Sequence, residues 1–173
     1  SMNFCSSCGG RLSETQPEGE DRPRLVCANC GVIHYVNPKI VAGSIPVQDG
    51  KIVLLRRGIE PRKGFWTFPS GYLEMGETVE EAAIRETKEE TNLDVEIDQL
   101  LNVYSRAEVG VVVVVYLTRI VDGMPQLGFE AEEIALFSPA EIPWEDLAFL
   151  STTWAIQDWV TGRLGFEVLA GNC

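Results

Sequence analysis

Four cysteines in two C-x2-C pairs, Cys5 with Cys8 and Cys27 with Cys30, stand 18 residues apart and constrain the start of this chain more than any other feature. Each pair is followed by glycine, in the runs CSSCGG and CANCG. A turn of this kind aims backbone amides at the sulfurs, and two such turns offer four soft thiolates at tetrahedral spacing. Zn2+ suits that donor set and leaves no open coordination position, so the metal is expected to be structural. Two disulfides or an iron centre are the alternatives. Residues 1–38 are rich in turn formers and poor in apolar periodicity. So short a segment cannot bury a stable core unaided and needs such a staple. His34, the single histidine, lies four residues past Cys30 and reads as a surface or packing residue. Cys173, the last residue, reads as an ordinary terminal thiol.

Beyond this segment the texture changes. KIVAGSIPV (39–47) reads as a strand, QDG as a turn and KIVLLRR (51–57) as the hairpin partner. Residues 58–64 form a polar loop around Pro61. A helix is predicted over 78–91, because Thr78 and Glu81 have the spacing of a capping box and Asn92 tolerates a left-handed cap. LDVEI, LLNVYS and VGVVVVVYLTRI read as three further strands. Ser151 is the expected cap of a last helix reaching about Thr161, with Gly162 past its end. Strands with two helices predict an α+β architecture, a mixed sheet packed between helices, with domains at 1–38 and 39–173.

Hydrophobic residues make up 45% of the chain and charged residues 23%, the balance of a globular protein. The net charge of −12 makes a nucleic-acid backbone an unfavourable partner. Residues 1–38, with three basic and four acidic side chains, offer no basic face. An acidic site can still hold a small phosphorylated molecule when divalent cations bridge the two. The longest apolar run, 111–117, is of strand length, so no membrane span is expected. The absence of a charged-then-apolar leader sets the expectation of a cytoplasmic, reducing compartment. With one histidine, Ser-His or Cys-His catalysis has little to build on.

The chemistry concentrates in residues 71–93, GYLEMGETVEEAAIRETKEETNL. On a helix Glu86, Glu89 and Glu90 project from neighbouring positions of one face. Three crowded carboxylates repel one another unless a cation joins them, and Arg85 cannot cancel all three charges. Hard oxygens on a rigid element favour Mg2+ or Mn2+. Val79, Ala82 and Ala83 are small enough to seat the helix close to a sheet. Ser70 and Gly71 leave room for a backbone carbonyl to approach the same cluster.

This segment resembles the Nudix hydrolase signature, G-x5-E-x7-R-E-U-x-E-E-x-G-U with U a bulky aliphatic. Gly71, Glu77, Arg85, Glu86, Glu89, Glu90 and Leu93 match it, whereas Thr87 stands in place of an aliphatic and Asn92 in place of glycine. The cysteine-rich head, with Tyr35, Asn37 and Pro38 at the joint, is similar to that of the zinc-ribbon subgroup of the family. That subgroup includes a plant chloroplast FAD pyrophosphatase, and NPK, W-T-x-P-x-G-Y-L-E-x-G-E and EIP…LAF carry the likeness. The resemblance implies an α/β/α sandwich behind a zinc ribbon. It also implies metal-dependent hydrolysis of a pyrophosphate bond, most of all in FAD or ADP-ribose, with release of AMP. Glu86 and Glu90 are then metal ligands, Glu89 a ligand or base, the Ser70 carbonyl an added ligand, Arg85 an orienting residue and Glu77 a support. A further acid comes from Glu130 or Glu133, with Glu133 preferred because it directly precedes the strand run IALF. Phe65, Trp66 and Tyr104 are candidates to stack on a ring, although each also fits a core role. NADH pyrophosphatases carry an S-Q-P-W-P-F-P run after the box, where this chain has GFEAEEIALF. A nicotinamide dinucleotide, including one capping RNA, therefore ranks second. A catalytically inactive ligand sensor is the alternative from another class, and a dimer contact remains a role open to the ribbon.

Overall fold

The computed structural model describes residues 2–164, so Cys173 lies outside the described residues. The chain divides into two compact units, Ser1–Asn37 and Pro38–Cys173. In the first, β1 (Leu12–Thr15), β2 (Arg24–Cys27) and β3 (Ile33–His34) form an antiparallel sheet in that order. Leu12 stands opposite Cys27, so the sheet leads directly into the cysteine cluster.

The second unit opens with β4 (Lys39–Gln48) and β5 (Lys51–Arg57), joined by a two-residue turn. Asp49 and Gly50 both have positive φ, 50° and 74°, the geometry of a tight hairpin turn. Two short strands follow, β6 (Trp66–Thr67) on β5 and β7 (Ser70–Tyr72) on β4. Then come α1 (Val79–Thr91), β8 (Asp94–Arg106), β9 (Val111–Asp122), β10 (Ala131–Phe137) and α2 (Leu150–Thr161). The main sheet runs β10-β5-β4-β9-β8, with β4 and β9 parallel and the other pairs antiparallel. LDVEI and LLNVYS belong to one strand, β8, whose pairing with β9 slips at Ile97/Gln99 and at Leu100/Asn102. Such bulges break the apolar alternation that would mark a continuous strand.

The valine run of β9 is explained by burial on both faces. Val113, Val115 and Leu117 join a core with Phe68, Tyr104, Ala155 and Ile156, while Tyr116 and Val114 pack with Ala82 and Ala83 of α1. Helix α1 begins at the expected box: Glu81 N–H donates to Thr78 Oγ1 (3.2 Å) and Thr78 N–H to Glu81 Oε2 (2.7 Å). It ends at Asn92, which takes the left-handed cap conformation with φ 62°. The cap of α2 differs from expectation. Helix α2 starts at Leu150 behind Phe149, which makes no side-chain cap, and Ser151 is a buried residue of the first turn. Among the described residues no helix is long and apolar enough to cross a membrane.

Thr87, where the family signature has an aliphatic, is fully buried and polar for a reason. Thr118 donates to Ser44 Oγ (3.3 Å), Ser44 lies 2.6 Å from Thr87 Oγ1, and Thr87 donates to the Ala83 carbonyl (2.7 Å). This chain of hydroxyls ties α1 to β4 and β9. Thr87→Val keeps the shape and leaves the Ser44 proton without an acceptor, which should cost about 1–3 kcal/mol in chemical denaturation. A stability equal to wild type would contradict the hydroxyl chain.

Candidate active site and metal centre

The two C-x2-C turns are built alike. Gly9 N–H donates to the Cys5 carbonyl and Gly31 N–H to the Cys27 carbonyl, both at 2.9 Å, and both glycines have positive φ. Backbone amides of Ser7, Gly10 and Asn29 reach the sulfurs of Cys5, Cys8 and Cys27 at 3.4 Å. Cys8 and Cys27 sulfurs stand 3.5 Å apart, those of Cys5 and Cys30 3.7 Å, and all four lie within 4.8 Å of one another. Around zinc with bonds of about 2.3 Å, tetrahedral sulfurs sit about 3.8 Å apart, so the cluster fits that ion. His34 is half-buried and does more than pack: its Nε2 lies 3.2 Å from Cys5 Sγ, where it supports the sulfur without adding a fifth ligand.

In the second unit Arg85 organises the carboxylates of α1. Its guanidinium grips both oxygens of Glu77 (2.9 and 2.7 Å), bonds Glu86 Oε1 (2.7 Å) and reaches Glu89 Oε2 (3.4 Å). The pairing with Arg85 holds Glu77 far below the usual carboxylate range, at about 2. Glu77 in turn accepts the Glu74 N–H, so the loop before α1 and the guanidinium share one anchor. Glu90 is different. Burial pushes it up to about 8, and the Ser70 N–H (2.8 Å) is its hydrogen-bond donor. Burial also raises Glu86, against the pull of Arg85. A hard cation on these oxygens would restore the charged forms that burial disfavours.

The backbone makes room for such an ion. A Cβ at position 71 would fall on the Glu86 carboxyl, so glycine there leaves that carboxyl its present place and a larger residue would push it aside. Among the described residues only the cysteines gather three or more ligand atoms within 4.8 Å. The glutamates are spread because Arg85 draws Glu86 and Glu89 one way and Ser70 holds Glu90 another.

Ser70, Arg85, Glu86, Glu89, Glu90 and Glu130 all line one cavity of about 1080 Å³. Glu133 does not. It sits in β10 opposite Arg56 and is ion-paired with it at 3.1 Å, after a register shift between Ala131 and Glu133. Of the two candidate acids, Glu130 is the one that lines the cavity. The three candidate aromatics do not line the cavity, and each takes the packing role that it also fitted. Phe65 lies under the Arg62 guanidinium (3.8 Å), Trp66 meets Phe137 edge-on (5.0 Å), and Tyr104 is buried and donates to Asp158 (2.7 Å). Arg57, Tyr72, Arg106, Phe129 and Phe149 line it instead. Of these only Tyr72, directly after Gly71, carried a positional signal.

With fold and site in view, comparison with known proteins assigns the chain. Residues 38–156 match the NUDIX domain family, and residues 3–36 match the zinc-ribbon family described as Nudix N-terminal. The chain belongs to the Nudix hydrolase family and is a pyrophosphohydrolase with a zinc-ribbon head. It is 36% identical over 113 residues to an ADP-ribose pyrophosphatase of Methanocaldococcus jannaschii, covering 63% of this chain and 67% of that one. It is 35% identical over 97 residues to an NAD-capped RNA hydrolase, NudC, of Vibrio atlanticus, covering 55% of this chain but only 34% of that one. The crystal structure of a Nudix hydrolase from Nitrosomonas europaea superposes with a TM-score of 0.89 at 40% identity, covering 94% and 92% of the two chains.

Two outcomes test the two centres separately. Cys27→Ser should release zinc and unfold the ribbon, and unchanged zinc content by atomic absorption would refute the closed site. Gly71→Ala should leave the circular dichroism spectrum intact yet cut turnover by about 100-fold, the scale of a misplacement of about 1 Å. Wild-type turnover in that variant would show that the Glu86 position is not critical.

Proposed function

We propose that this protein hydrolyses the pyrophosphate bond of ADP-ribose or FAD, with divalent cations held by the carboxylate face of α1. The observation that carries the reading is the convergence of Glu86, Glu89, Glu90 and Ser70 on one cavity, with Gly71 leaving space for the Glu86 carboxyl. The likeness to an ADP-ribose pyrophosphatase supports the same substrate class.

Mg2+ or Mn2+, when bound, relieves charge on the phosphate oxygens and lowers the pKa of water. Glu86 and Glu90, the two more buried carboxylates, are the residues to hold the ions, with the Ser70 carbonyl and Glu130 at the edge of the same cavity. Glu89 is more exposed and only loosely paired with Arg85, so it is the residue free to take the proton from the attacking water. Arg85, held on both oxygens of Glu77, would keep the face in register with Glu86 and Glu89 free to hold a cation. Arg57 lowers the cost of charge on Glu90 and lines the cavity, where it offers positive charge to a phosphate. Water adds to one phosphorus, the anhydride bond breaks, and the second phosphate leaves. ADP-ribose then gives AMP and ribose 5-phosphate, and FAD gives AMP and FMN.

The test is product chromatography after incubation with Mg2+ and, separately, ADP-ribose, FAD and NADH. AMP from ADP-ribose or FAD is the expected result. AMP from NADH alone would overturn the substrate class and favour the nicotinamide dinucleotides. No AMP from any of them, with Mn2+ also supplied, would favour a ligand sensor.

A further inference from the structure

We propose that Phe129 is the platform on which the purine ring of the nucleotide stacks, which makes it a specificity-determining residue of this cavity. The inference rests on the pyrophosphohydrolase reading above and adds the residue that would recognise the ring.

Besides the buried Phe68, three aromatic residues line the cavity. Tyr72 carries the Lys39 ammonium over its ring at 4.9 Å, and Phe149 carries the Arg57 guanidinium at 5.2 Å. Phe129 is fully exposed, and among the described residues no cation or second ring covers it.

Its mounting is rigid. Residues 123–130 connect β9 to β10 and are laced to the last turn of α1: Gln126 N–H donates to the Thr91 carbonyl (2.9 Å), Gly128 N–H to the Glu90 carbonyl (3.3 Å), and Asn92 Nδ2 to the Met124 carbonyl (3.1 Å). Gly128 lies so close to α1 that a Cβ there would stand 2.6 Å from the Glu89 carbonyl oxygen. On the other side, Gly58 N–H donates to the Glu130 carbonyl (2.7 Å). Residue 129 is thus held at both neighbours, and one of its ties runs to the backbone of Glu90.

An apolar ring exposed to water on a tethered loop, beside a phosphate-binding face, gains when something flat covers it. A nucleotide presents both features, an anionic phosphate for the metal-holding face and an uncharged planar base one sugar away. The acidic surroundings select a neutral ring over an anionic group. No sequence signal marked Phe129, because its place comes from a loop pinned to the far-earlier helix α1.

Calorimetric titration of AMP in the presence of Mg2+ tests this with the full chain, using Phe129→Ala and Phe129→Trp. Phe129→Ala should weaken AMP binding by about tenfold, within the range for one base on an aromatic platform, while Mn2+ affinity stays at the wild-type value. Phe129→Trp should keep or tighten AMP binding. Equal AMP affinity in wild type and Phe129→Ala overturns the proposal, as does wild-type protein that binds no AMP. A change of oligomeric state by light scattering with unchanged AMP affinity would overturn it in favour of a second copy of the chain covering the ring. Turnover separates this from the functional reading: active wild type with AMP-indifferent Phe129→Ala sinks only the platform, and inactive wild type with the expected AMP loss sinks only the hydrolase.

Discussion

Three carboxylates on one helical face repel one another, and in this structure a single guanidinium absorbs most of that repulsion. Arg85 bonds Glu77, Glu86 and Glu89 at once, while Glu90, out of hydrogen-bonding reach of it, is left buried on a lone amide donor. That arrangement stores the demand for a cation. Carboxyl oxygens are held in a partly dry place that disfavours their charge, and a divalent ion is the partner that would restore it. Because Glu77 anchors Arg85 independently, the guanidinium keeps its position when Glu86 and Glu89 are drawn elsewhere.

The rest of the second unit serves to place this face. Ala82 and Ala83 let α1 lie close against the sheet, and the hydroxyl chain through Ser44, Thr87 and Thr118 fixes its rotation. Rotation matters because Thr87 and Thr91 turn into the sheet while Glu86 and Glu90, one residue earlier, meet the cavity. The ribbon meets a different problem in the same way, since a cation held by its four clustered sulfurs would supply the cohesion that its few half-buried side chains cannot.

Much of this was legible in the sequence. The cysteine spacing, the capping box at Thr78, the Asn92 cap and the Asp49-Gly50 turn are local, and local chemistry determines them. The carboxylate face was equally readable because helical periodicity projects it. Local signals ran out where tertiary context decides. Bulges split β8 into two apparent strands, Ser151 looked like a cap but is buried in the first turn, and Glu133 is claimed by Arg56 across a register shift. The cavity walls lay beyond local signals altogether: Arg57, Arg106, Phe129 and Phe149 come from four separate segments that only the fold brings together.

The central claim is that Glu90 and its neighbours form a divalent-cation site. Electron paramagnetic resonance of Mn2+ titrated into wild type and Glu90→Gln tests it most directly, because free and bound ion are counted without reference to any substrate. Loss of bound Mn2+ in Glu90→Gln, with zinc content and circular dichroism unchanged, is the predicted result. Undiminished Mn2+ binding in that variant would contradict the assignment of the carboxylate face as the metal site.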